Sequence, residues 1–141
     1  MKKLIFFISI ACLVCAQAKA EKISDLAWRS ANWSLLADTN LGNGYGNKRY
    51  FDSSHTTKTG NMLTTYILIS NYRPISSENG LPIQSIVMSV VFDCKKKITM
   101  ANHAYFLSGQ DGTGEIAKES NGGMWVEFAD VDKKLIINYC K

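Results

Sequence analysis

Histidine is nearly absent from this chain: among 141 residues only His55 and His103 occur. Neither stands at metal-site spacing from the other or from a cysteine, which argues against metal catalysis, and no cofactor is expected. Proline is as scarce, and its two copies, Pro74 and Pro82, fall in one short stretch. The longest apolar run, Leu4 to Ala16, falls well short of the ~20 residues that a membrane-spanning helix needs. Nucleotide-binding signatures are missing as well. The glycines of Asn40 to Asn47 lead into the strand-like Lys48 to Asp52 instead of a helix, so that stretch reads as a turn between strands. Gly109 to Glu115 lacks the Gly-Lys-Ser/Thr end of a phosphate loop and the spaced acids of a calcium loop. Asp52-Ser53-Ser54-His55 holds the residue types of a hydrolase triad. Triad members come from separate elements, however, and Asp-Ser-Ser is ordinary turn chemistry.

What is present starts with an export signal. Lys2 and Lys3 precede the apolar run, and Ala18-Lys19-Ala20 supplies the small-x-small pattern of a cleavage site. Residues 1–20 are therefore expected to be a cleaved signal peptide. Leu13 and Val14 precede Cys15, and Val14 is a poor fit to a lipid-attachment site. Cleavage lowers the formal charge from +4 to about +1, which removes the case for nucleic-acid binding. It also removes Cys12 and Cys15. Cys94 and Cys140 then have one possible pairing, and an oxidising compartment permits it. Closing such a loop contributes ~4 kcal/mol in the chain-entropy model. A mature chain of roughly 120 residues is enough for one domain with its own core.

Residues 21–32 read as a short lead-in before a domain at 33–141. The organising stretch is Ile83 to Cys94, the densest β-branched run, whose even positions (Ile86, Met88, Val90, Phe92, Cys94) form an apolar face. Further strands are expected at Trp33 to Asp38, Lys48 to Asp52, Asn61 to Tyr72, Ile98 to Leu107 and Glu115 to Lys118. Arg73 to Pro82 reads as a surface loop. Lys95-Lys96-Lys97 reads first as a solvated hairpin turn, and second as a docking patch for an acidic partner. Near the end, Val131, Leu135 and Tyr139 recur every fourth residue, with Ile136 and Cys140 alongside. That favours an amphipathic helix capped by Asp130 over a strand at Lys134 to Tyr139. The fold class is α+β: an antiparallel sheet of about five to six strands, a C-terminal helix packed on it, and one disulfide.

Several of these features occur in an order that resembles the surface-adhesin protein E family of Gram-negative bacteria. They are Trp33-Ser34-Leu35-Leu36, Tyr50-Phe51-Asp52, the strand through Asn61 to Tyr72, and Val91-Phe92-Asp93-Cys94. Tyr105-Phe106, Gly112-Thr113-Gly114-Glu115, Trp125 and a terminal helix closing at Cys140 complete the set. The resemblance implies an antiparallel sheet, the Cys94–Cys140 bridge and adhesion to host matrix or plasma proteins such as vitronectin and laminin. The named member is anchored as a lipoprotein, whereas this signal lacks a convincing lipid site.

The leading expectation is a non-enzymatic binding module of the periplasm or outer surface that takes a protein partner. Aromatics and arginines are the usual anchors of interfaces. That marks Tyr45, Arg49, Arg73 and Lys95, Lys96 and Lys97 as candidate contact residues, with Tyr50 and Tyr72 as further exposed-looking aromatics. The alternative is a periplasmic inhibitor or immunity-type protein that inserts a rigid loop into an enzyme, with Gln110 to Glu115 or Arg73 to Pro82 as that loop.

Overall fold

The computed structural model describes residues 26–123 and 125–141; the expected signal peptide and the first part of the lead-in lie outside the described residues. The chain divides into two units, Met1–Ser30 and Ala31–Lys141. In the first, Ala27–Ser30 forms a 3-10 turn with the Arg29 guanidinium 4.7 Å from the centre of the Trp28 ring.

The second unit is an antiparallel sheet built from hairpins. Its strands are β1 (Trp33–Gly42), β2 (Tyr45–Asp52), β3 (Thr57–Thr59), β4 (Met62–Ser76), β5 (Pro82–Asp93), β6 (Ile98–Leu107), β7 (Ile116–Asn121) and β8 (Val126–Glu127). Six run side by side in the order β1-β2-β4-β5-β6-β7, while β3 adds to β4 and β8 adds to β6. The β1–β2 connection is a two-residue turn. Asn43 and Gly44 both have positive φ, 51° and 76°, which is the Asn-Gly geometry that matches strand twist.

One sheet face carries the main core. Leu36, Leu63, Ile67, Val90 and Phe92 pack with Leu135 of the helix α1 (Lys133–Tyr139), and Phe51, Cys94, Phe128 and Tyr139 line the cluster. Edge-to-face rings reinforce it, Phe51 on Tyr139 at 5.7 Å and Phe92 on Phe128 at 5.5 Å. Cys94 and Cys140 are bridged, with their Cα atoms 5.4 Å apart. The expected sheet, terminal helix and disulfide are all present.

Three local expectations need correction. Asp130 does not cap the helix: it pairs with Lys133 at 2.6 Å, and the N-cap residue is Asp132, which makes no capping bond. Asp132 instead turns inward to Arg49 at 3.0 Å. Arg73 to Pro82 is not all loop, because β4 continues to Ser76 and β5 begins at Pro82, leaving only 77–81 between them. Ile75 pairs with Ile83, and Pro74 falls in the register shift between Ser70 and Ile75. A bulge is where proline's missing N–H costs the ladder least.

The third correction concerns β5. Val90 and Phe92 are buried as expected, but Ile86, Met88 and Cys94, expected on the same buried face, are only half-buried, whereas Ile83, Ser85 and Val87 are buried. The strand's inward side thus changes along its length. Ser85 and Val87 lie under the β6–β7 loop, which folds back across the second sheet face. Ser85 Oγ donates to the Gly109 carbonyl at 2.6 Å and accepts the Gly112 N–H at 3.1 Å, while Ser70 Oγ accepts the Asp111 N–H at 3.0 Å. A hydrophobic pattern shows that a face is covered, not what covers it, so a glycine-rich cover left no periodic trace in the sequence.

Candidate protein-binding surface

At one end of the sheet the β1–β2 turn meets the extension of β4. β2 pairs with β4 through Asn47–Asn71, and continuing that register sets Tyr45 opposite Arg73. The Arg73 guanidinium lies 4.8 Å from the centre of the Tyr45 ring. Gly44 makes this possible, since a Cβ there would come within 2.8 Å of Arg73 Nε. Tyr45 is 60% exposed, and Leu41 (79%) and Ile75 (54%) extend an apolar margin from the same two segments. A planar cation stacked on an exposed phenol is a rigid amphipathic pair of the kind found in interface anchors. Beside it, Pro74, Ile75, Ser76, Ser77, Gly80 and Pro82 line an open depression of about 210 Å³, smaller than typical ligand pockets.

The other candidate residues do not join this end. Arg49 faces the helix side and is held by the buried carboxylate of Asp132. Burial pushes Asp132 above the usual carboxylate range, against the opposing pull of Arg49. Lys95, Lys96 and Lys97 are exposed in the β5–β6 turn, at the far end of β4, roughly 35 Å from Arg73 at strand rise. Their turn is fixed by Asp93, whose Oδ1 accepts the N–H groups of Lys95 and Lys96, both at 3.0 Å.

Tyr50 and Tyr72 are half-buried rather than freely exposed. Tyr72 donates its hydroxyl to Asp38 at 2.5 Å and lies under the Lys48 ammonium at 5.7 Å. That bond to Asp38 pushes the Tyr72 phenol up to about 12. Tyr50 is raised as well, first by burial and then by Asp111.

The Asp52-Ser54-His55 residues do converge, contrary to the expectation for sequence neighbours. Ser54 Oγ lies 2.6 Å from Asp52 Oδ1 and 3.1 Å from His55 Nδ1, and Nδ1 also bonds Asp52 Oδ2. Carboxylate and hydroxyl thus meet at one ring nitrogen. A hydrolytic relay needs them on opposite nitrogens. Asp52, fully buried, also accepts the N–H groups of Asn32 (3.0 Å) and Ser54 (2.9 Å), so the cluster staples the turn after β2. His103 packs on Tyr105, with ring centres 4.3 Å apart, and reaches Glu119 at 3.4 Å.

Reading the sequence alone missed Leu41, Ile75, Lys58 and Lys141 as exposed surface groups. The lysines carried a signal: Lys95 follows Cys94 and Lys141 follows Cys140, so joining the cysteines joins their neighbours. The Gln110 to Glu115 loop is laid on the sheet by the hydroxyls of Ser70 and Ser85 and does not project. Among the described residues, no helix is long and apolar enough to cross a membrane, and no group of three or more His, Cys, Asp or Glu could hold a metal ion.

Three solved structures of Haemophilus influenzae protein E share the fold. Crystal form II aligns with a TM-score of 0.57 at 14% identity, covering 77% of this chain and 99% of that one. The selenomethionine form gives 0.54 at 13% identity, covering 75% and 93%. Protein E from a non-typeable strain gives 0.52 at 13% identity, covering 77% and 86%. Among curated proteins no sequence matches. The sequence profile of surface-adhesin protein E matches residues 33–140, the whole span from the first strand to the bridged Cys140, and the chain therefore belongs to the surface-adhesin protein E family.

Proposed function

We propose that this chain is an exported, non-enzymatic adhesin module that engages a host matrix or plasma protein through the Tyr45–Arg73 end of the sheet. In this reading residues 1–20 direct export, 21–32 form a lead-in, and 33–141 make the binding domain, displayed in the periplasm or at the outer surface. The observation that carries the reading is the exposed Arg73–Tyr45 stack with Leu41 and Ile75 around it. Family membership supports adhesion as the class of activity.

The test is binding of the purified protein to immobilised laminin and vitronectin, compared with Tyr45→Ala and Arg73→Ala. Truncating an anchor of this kind typically costs 2 kcal/mol or more, about 30-fold in affinity. Retention of a folded protein by neither ligand, or full binding by both variants, rejects the reading. Co-purification of a cell-wall hydrolase in place of matrix binding would favour the inhibitor alternative.

A further inference from the structure

The opposite end of the sheet is chemically unlike the Tyr45–Arg73 end. Lys95, Lys96 and Lys97 stand exposed in the β5–β6 turn. The disulfide brings the last residues of the chain beside that turn, since Cys140 is bridged to Cys94. Lys58 joins from β3, its ammonium bonded to the Lys141 carbonyl. Residues far apart in sequence thus form one group of five lysines. Asp93 does not neutralise it outwardly, because its carboxylate is buried and turned onto the Lys95 and Lys96 N–H groups. Glu127, paired in register with Ile98, is an exposed acid on this side. With a mature charge of only about +1, so many lysines at one end leave the rest of the molecule net acidic.

The same end exposes large apolar groups. Met62, opposite Asp93 in the ladder, is 41% exposed. Trp125 (43%) and Val126 (53%) lie beside β6, where Val126 pairs with Thr99 and the Phe128 N–H reaches the Lys97 carbonyl at 3.3 Å. Lysines at the same end of the sheet as an exposed tryptophan and aliphatic tips match the two chemistries of a lipid interface. Ammonium groups answer anionic headgroups, and an indole favours the boundary between headgroup and acyl chain. A polyanionic sugar chain would use the lysines but has no need of Trp125, Val126 and Met62.

We infer that the lysine end is a peripheral membrane-docking surface for anionic phospholipid. It is independent of the Tyr45–Arg73 surface, and it orients the module: with lysines on the bilayer, the adhesive end points away. The domain would thereby be held at a membrane by its own surface.

The test is sedimentation of the exported protein with phosphatidylglycerol-containing vesicles and with pure phosphatidylcholine vesicles. Binding to the anionic vesicles alone is expected. It should be lost on raising salt from about 0.05 M to about 0.5 M, where screening shortens the reach of the charges. Lys95→Gln/Lys96→Gln/Lys97→Asn should bind at least tenfold more weakly, with asparagine chosen for the positive φ at position 97. The blue shift of tryptophan emission on binding should vanish in Trp125→Ser. Thermal melts confirm that both variants are folded. Equal binding to neutral vesicles, no binding to anionic vesicles at low salt, or unaltered binding by the lysine variant overturns the inference. So does lysine-dependent binding to heparin with no vesicle binding.

Discussion

Asp52 shows how much one side chain can hold. Burial alone would raise its carboxyl, yet hydrogen bonds from Ser54, His55 and the Asn32 N–H outweigh that effect and hold it below the usual carboxylate range. A carboxyl whose folded pKa lies below its unfolded one stabilises the fold fully above the unfolded value, about 3.9, and that stability is lost as pH falls through the folded value. Asp132 has the opposite sign. Burial raises it, so its ionisation costs stability as pH rises through its folded pKa. Asp52→Asn should therefore cost about 1.5–3 kcal/mol at neutral pH, the size of a charged hydrogen bond. Urea midpoints of wild type and variant should converge well below pH 4. A gap that persists there would mean the carboxylate charge is not the source.

At the scale of elements, α1 is the part that needs outside help. Seven residues are too few to be helical alone, so its stability is tertiary: Leu135 in the core, the bridge to Cys94, and the Arg49–Asp132 pair at its start. Breaking a buried pair from one side leaves an uncompensated charge, at a cost of about 3–5 kcal/mol, whereas replacing both partners with apolar groups of similar size is close to neutral. Asp132→Leu should thus destabilise strongly, and Arg49→Met/Asp132→Leu should recover most of the loss in denaturant unfolding. Equal losses in the single and double variants would show that the pair does not hold the helix. This element also marks the limit of sequence reading. The four-residue recurrence of Val131, Leu135 and Tyr139 made a helix legible, and the Cys94–Cys140 pairing followed from counting cysteines. The role of Asp132 left no trace, because its partner Arg49 lies on β2, and charge pairing across a fold has no period. Arg49 looked like a surface anchor for the same reason. Tyr45 and Arg73 could be singled out by residue type, but their meeting depends on the β2–β4 register and on Gly44.

At the largest scale, the unit Ala31–Lys141 is built on a sheet in which almost every strand pairs with a neighbour close to it in the chain. That order was legible because glycine and asparagine mark the turns. The fold of the 108–115 loop over the outer face was not, and neither was the gathering of Lys58 and Lys141 beside Lys95. The two proposed surfaces lie at opposite ends, so a partner at one leaves the other open. The sequential pairing also has a kinetic consequence. Each hairpin closes a short loop, so the sheet can zip from any turn with little entropy lost before contacts form. The helix is the exception when the bridge is reduced: Leu135 shares one core cluster with Leu36 and Leu63, across most of the length of the domain. Such long closures belong late on the folding route, after the rate-limiting barrier. Leu135→Ala, at about 2–5 kcal/mol, should then speed unfolding by close to the full amount and leave the refolding rate almost unchanged. Stopped-flow refolding slowed in proportion to the lost stability would place the helix in the nucleus instead. If it docks late, the terminal helix governs how long the native domain lasts once formed, while the hairpins govern how fast it forms.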